Sequence, residues 1–309
     1  MDMMVVVNTM VELFLLLILG YGLAKKGMID SKTNGKLSGL VVHVSLPALI
    51  LASVFENMDK GSLSEVFHFF LAGLGFYAVM IGFAWVLTRL SRTPKEQRGI
   101  YQFMLIFSNC AFMGYPIMEA LYGTKAIFLS AIFNLPFNLL AFSYGIILIS
   151  DGTEQTSGFD PKKLLSPGII ASVLALVIFA VRLHVPQVME QTLDIVGTLT
   201  TPLSMLVLGA SLAEVPLREV FREGRIYWMS FLRLIVLPMI TYFLIKLITT
   251  DSLLIGVATM TAAMPVASLA VMLSSQYKGN VRLASVGVFI STALSVVTIP
   301  VIGWLITKI

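Results

Sequence analysis

Charge is what this sequence has least of. Asp, Glu, Lys and Arg make up 12% of its 309 residues, about half the share found in soluble globular chains. A surface that faces water on all sides cannot be built from that supply. There is one cysteine, Cys110, so no disulfide framework and no cysteine-based zinc site can form within one chain. The three histidines, His43, His68 and His184, lie far apart and share no metal-ligand spacing. Two further signatures are missing: the glycine loop ending in Lys and Ser or Thr that cradles nucleotide phosphates, and the paired histidines of a zinc hydrolase helix. ATP is therefore not expected as a direct energy source, and no cofactor is expected. The formal net charge of +4 fits Lys and Arg gathered in cytoplasmic loops, with no nucleic-acid partner implied.

What the chain has is apolar sequence. Hydrophobic residues make up 57% of it, and the mean hydropathy is +0.91. A helix needs about 20 apolar residues to cross roughly 30 Å of hydrocarbon. Ten stretches qualify: 5–24, 37–55, 67–90, 100–121, 126–150, 165–183, 188–213, 226–248, 252–275 and 283–306. They are continuous and do not alternate, which favours helices over a spanning β-barrel. The first lacks a basic start and a small-residue cleavage pattern, so it reads as a retained helix and not a signal peptide. The expected fold is an all-α membrane protein with ten transmembrane helices in a lipid bilayer.

Lys and Arg set the orientation, because cytoplasmic loops keep the excess. Of the 21, 15 fall in alternate connections starting with the one after the first stretch. Five fall on the other side (Lys60, Lys125, Arg182, Lys246 and Lys308), and Arg233 lies inside a stretch. This bias predicts a multi-pass protein of the cell membrane with both termini outside the cytoplasm. The chain also divides into halves. "HVSLPALILASVF" (43–55) and "TLTTPLSMLVLGASL" (198–212) share a Ser or Thr near a proline, an aliphatic run, then Ala and Ser. The fourth and ninth stretches each carry a central proline, Pro116 and Pro265. Both pairs are five stretches apart, and an odd number of spans inverts the second copy. The reading is a five-plus-five inverted repeat, with residues 1–150 as one half and 164–309 as the other.

The segment "FSNCAFMGYPIMEALYG" (107–123) places Asn109, Gly114, Tyr115, Pro116 and Glu119 at membrane depth. A proline removes a backbone donor and clashes with the carbonyl four residues earlier, costing about 3 kcal/mol inside a helix. Broken backbone survives in lipid only where protein or a wet cavity surrounds it. A break exposes a half-helix N-terminus, whose free amides and partial positive charge favour an anion. A lone proline kink needs no ligand, but two at corresponding places beside Asn, Gly, Tyr and Ser match a broken-helix binding site. The expected substrate site thus combines breaks at Pro116 and Pro265 with Asn109, Ser108, Tyr115, Thr261 and Ser268. Asn134 and Asn138, one turn apart on either side of Pro136, offer either interhelical hydrogen bonds or further ligand contacts. Glu119 is a candidate proton carrier. Arg233, about two turns inside the eighth stretch, could attract an anion or snorkel to the interface.

At these residues the sequence resembles the auxin efflux carrier family of membrane transporters, which includes plant auxin carriers of the PIN type and bacterial malate or other carboxylate permeases. "SNCAFMGYPIMEALYG" is similar to the family's fourth-helix pattern. "AAMPVASLAVMLSSQY" is similar to its ninth, and "STALSVVTIPVIGWL" to its C-terminal helix. The resemblance implies a fold related to that of bile acid sodium symporters, with broken fourth and ninth helices that cross, and elevator-like alternation. It also implies that Asn109 contacts a substrate carboxylate. Plant members have a second proline in the ninth helix where this chain has Ala270, which predicts a softer second break.

Together these features predict a secondary transporter of a small organic anion, such as malate or an auxin-like acid, and not an enzyme. Coupling to protons or sodium, and plain facilitated diffusion, are all compatible with it, and the helices outside the crossing offer a face for a homodimer. Two alternatives use the same chain differently: a membrane-embedded ligand sensor, and an intramembrane hydrolase. The hydrolase would need a nucleophile and base, or paired ligands, that the sequence does not display.

Overall fold

The apolar stretches fold as helices. The computed structural model describes residues 3–58, 62–150, 167–214 and 224–308, and among them the regular elements are all helical. Among the described residues six helices are long and apolar enough to cross a membrane: Ser31–Asn57, Leu63–Leu90, Thr124–Ala141, Gln187–Ala213, Gly224–Ile248 and Val281–Ile306. Pro167–Val181 and Ser252–Ala263 are shorter apolar helices, and helix α1 (Met3–Lys25) opens the described chain. Large apolar side chains such as Leu15, Ile18, Phe243 and Leu247 point outward, the arrangement a lipid-facing exterior requires. The segment 151–163, where the two sequence halves join, lies outside the described residues.

Short polar connections supply the caps. The Asp30 carboxylate accepts from the Thr33 amide at 2.7 Å at the start of α2 (Ser31–Leu40). Hydrogen bonds from Thr33 hold that exposed carboxyl below its ordinary pKa. Ser62 accepts from the Glu65 amide at the start of α4 (Leu63–Leu90), which follows α3 (Leu46–Asn57). Asp251 accepts from the Leu253 and Leu254 amides at the start of Ser252–Ala263. Each cap satisfies donors that a helix cannot pair by itself.

Prolines inside the helices are absorbed in a repeated way. Five-residue π segments at Val41–Ser45, Cys110–Gly114 and Leu232–Val236 each end two residues before a proline: Pro47, Pro116 and Pro238. In each, the next amide bonds five residues back, Leu46 to Val41, Tyr115 to Cys110 and Leu237 to Leu232. Slipping the ladder by one residue lets the backbone pass the missing donor without leaving the helix.

Close helix packing comes from small residues. Helix α1 lies along α12 (Thr200–Ala213). A Cβ on Gly20 would overlap the Leu206 backbone, and one on Gly209 would overlap the Leu17 carbonyl. Both positions therefore exclude larger side chains, the usual device where lipid supplies no hydrophobic drive between helices.

Candidate functional site

The fourth and ninth apolar stretches are each interrupted. Helix α5 (Lys95–Ile106) ends at an extended Phe107. The chain restarts at Asn109, caps the π segment Cys110–Gly114, and continues as α6 (Tyr115–Tyr122). In the ninth stretch, α15 (Ser252–Ala263) ends at an extended Met264. The next helix, α16 (Leu269–Gln276), begins after Ser268. The α13 helix (Gly224–Phe231), its π segment and α14 (Leu237–Ile248) lie between them in sequence.

The two gaps meet. Ser108 and Val266 form an antiparallel bridge. The Asn109 amide donates to the Pro265 carbonyl at 2.8 Å, and the Ala267 amide donates to the Phe107 carbonyl at 3.0 Å. The crossing is sealed from the exterior: Phe107, Ser108, Met264 and Val266 are fully buried, and Asn109 is 3% exposed. The Val266 amide, left over by this pairing, donates to the Ser291 hydroxyl at 3.1 Å. Ser291 belongs to α17 (Val281–Lys308) and opens the third sequence pattern noted above. These bonds pair buried backbone that no helix satisfies.

Arg233 pairs two more carbonyls at the crossing. It is fully buried, with Nη1 donating to the Leu105 carbonyl at 2.6 Å and Nε to the Met264 carbonyl at 3.2 Å. Those carbonyls end α5 and α15, so one guanidinium caps both half-helices where they reach the crossing. Snorkelling is thereby excluded. The π segment at Leu232–Val236 carries Arg233 in its second position, and α14 follows through Pro238.

On the other side of the crossing lie the half-helix N-termini. The Asn109 carboxamide oxygen accepts from the Phe112 amide at 3.3 Å, while its Nδ2 is buried without a partner. The Ser108 hydroxyl is likewise buried and unpartnered, as are the Thr261 hydroxyl in the last turn of α15 and Nη2 of Arg233 at the C-terminal ends. Among the described residues no Asp or Glu is buried, and Arg233 is the only buried charge. Tyr115 is buried at the first position of α6, and Pro116 follows it. Ser268 is half-buried at the start of α16, with no side-chain cap bond.

Several expectations change in detail. The break in the fourth stretch falls at 107–109, not at Pro116. That proline sits in the first turn of α6, where its missing amide costs little. Ala270 does not soften the second break: 264–267 is fully non-helical, and the Ala270 amide already bonds back to Ala267 as the new helix starts. Asn134 caps α7 (Thr124–Phe133). It is engaged at both ends, accepting from Tyr77 at 2.7 Å and donating to Ser130 at 2.9 Å. Asn138 falls in α8 (Leu135–Ala141), with its side chain outside the described residues. Glu119 is half-buried, and its electrostatic neighbours are Glu56 and Asp194. Those two acids and Glu190 line a separate cleft of about 200 Å³.

Sequence reasoning missed Ser291, Tyr77 and the pair Thr200 and Ser204. The last two are buried and unpartnered in α12, which packs against the π segment Cys110–Gly114. Their signal was the "TLTTPLSM" run, read only as a repeat.

The chain matches the family described as membrane transport protein over residues 5–158 and 157–303, which takes in both interrupted stretches. It belongs to this family, the auxin efflux carrier family. Similar proteins include an uncharacterized transporter of Methanocaldococcus jannaschii, 25% identical, with 98% of this chain and 99% of that one covered. A candidate malonate transporter of Rhizobium meliloti is 23% identical, with 95% and 93% covered. The lysosomal cholesterol signaling protein of Mus musculus is 26% identical over 96% of this chain, which spans 37% of that protein.

Proposed function

We propose that this membrane transporter carries a small organic anion, with a carboxylate bound where the two interrupted segments cross. The carrying observation is an imbalance of charge at a buried site. Two half-helix C-termini contribute roughly −0.5 each, and the Arg233 guanidinium offsets them. The two N-termini contribute roughly +0.5 each, and no described carboxylate is buried to answer them. One carboxylate group of a substrate fits that deficit. Asn109 Nδ2 and the hydroxyls of Ser108 and Thr261 supply donors without partners, with Tyr115, Pro116, Pro265 and Ser268 shaping the walls.

The finer architecture of this reading is ten spans in two inverted halves, with both termini outside the cytoplasm. An elevator-type movement would carry the crossing past the other helices. Dicarboxylates of malate or malonate size are the first substrates to test, given the malonate transporter named among the relatives. Asn109→Ala in proteoliposomes is expected to abolish uptake of the cognate acid while the protein stays folded; wild-type rates in that variant would remove the site assignment.

A second reading is a ligand sensor, favoured by the similarity to a signalling protein. A sensor would bind the acid at the crossing and show no flux, so the same proteoliposomes separate the two.

A further inference from the structure

Interrupted membrane helices expose backbone carbonyls at their C-terminal ends, and carriers commonly fill that position with a coupling cation. Here it is filled from within. Arg233 reaches the carbonyls of Leu105 and Met264 with two different nitrogens. These carbonyls lie at the C-terminal ends of the two half-helices, Leu105 next to last in α5 and Met264 just past α15. Its electrostatic neighbours are Tyr77 and Cys110, side chains that are neutral near pH 7. A buried arginine with no carboxylate partner would ordinarily be severely destabilising, so the two carbonyl ends are what neutralise it. The π segment that carries it sits on the proline-adapted part of its helix, which fixes the backbone from which the side chain extends.

We infer that Arg233 is a tethered counter-cation of the crossing, standing where a coupling sodium ion would otherwise bind, so that the anion site forms and works without sodium. Arg233 is a positioning residue: it acts by holding the ends of α5 and α15 together, with Asn109 and the half-helix amides meeting the substrate. Lysine cannot replace it fully, because one ammonium cannot match a planar fork with donors in two directions. The inference rests on the carrier reading for its consequence in transport, but its structural half stands alone.

The test has two arms. The first uses the full chain in detergent with no substrate, reading backbone hydrogen exchange at Asn109 and Ala267. Wild type should show the same protection in sodium and in choline. Arg233→Gln should exchange at least about tenfold faster at both amides, Arg233→Lys should fall between, and added guanidinium ion should restore protection to Arg233→Ala. The second arm reads carboxylate uptake into proteoliposomes with choline in place of sodium, where the wild-type rate should hold within about twofold. Wild-type protection in Arg233→Gln overturns the inference, and so does a sodium-induced rise in wild-type protection at these amides. Should the neutral variants fail to fold, Arg233→Lys and the wild-type sodium comparison decide it. Absence of uptake for every acid, with exchange still dependent on Arg233, removes the carrier reading and supports the counter-cation. Sodium-dependent uptake removes the counter-cation and leaves the carrier.

Discussion

A single charged side chain and a single amide carry most of the chemistry. Arg233 satisfies two carbonyls that no other described group reaches. Replacing it with methionine leaves both bare, and at about 1 to 3 kcal/mol for each unsatisfied carbonyl the expected effect is a loss of stability, read by denaturant unfolding in detergent. Asn109 does two things at once, capping the following helix through Phe112 and offering Nδ2 to the site. Asn109→Asp separates them: the cap is kept, but a negative charge enters the anion position. Affinity for the cognate acid should drop more than about a hundredfold, since like charges brought together cost several kcal/mol, with the melting temperature nearly unchanged. Both residues were conspicuous in the sequence as polar groups in apolar runs. The partners of Arg233 were not, because a backbone carbonyl leaves no mark in a side-chain string. Ser291 was hidden for a related reason, since a serine in an apolar helix usually bonds its own preceding turn, as Ser291 also does with Val288.

Prolines were legible as signals at the level of the helix, yet they do not mark where the chain opens. Pro116 lies beyond a π segment that absorbs it, and the opening at 107–109 is held instead by the crossing bonds, the Asn109 cap and Arg233. Pro116→Ala is therefore expected to leave the gap in place. Hydrogen exchange at Ala267, whose amide bonds the open Phe107 carbonyl, should stay within about threefold of wild type, whereas closing a proline-caused break would draw that carbonyl into the helix and expose the Ala267 amide. Gly123 ends α6 with φ 77° and ψ −177°, a region costly for any other residue, so Gly123→Ala should destabilise by about 1 to 3 kcal/mol. The Tyr122 ring beside it packs over Gly256 of α15, which explains physically why a Tyr-Gly pair closes this segment. At the other contact, Gly209→Leu should force α1 away from α12, reading out as lost stability and lost uptake together.

Across the whole molecule, composition made the membrane class and the helical fold plain, because 12% charge leaves no other solvent for the exterior. The meeting of Ser108 with Val266 could be guessed only from paired prolines and from family resemblance. Residues that far apart in sequence share no local pattern, and their register is fixed by backbone bonds. Orientation rests on the Lys and Arg bias, and it predicts that a cysteine placed at Lys95 is labelled only from the cytoplasmic side, with Cys110 buried and silent. The central claim is that one carboxylate occupies the crossing. Hydrogen exchange across the whole chain, with a panel of organic acids, tests it most directly. The cognate acid should slow exchange in 107–114 and 264–271 together. Should the acid that the protein binds protect neither segment, or protect only the cleft lined by Glu56, Glu190 and Asp194, the account would be contradicted.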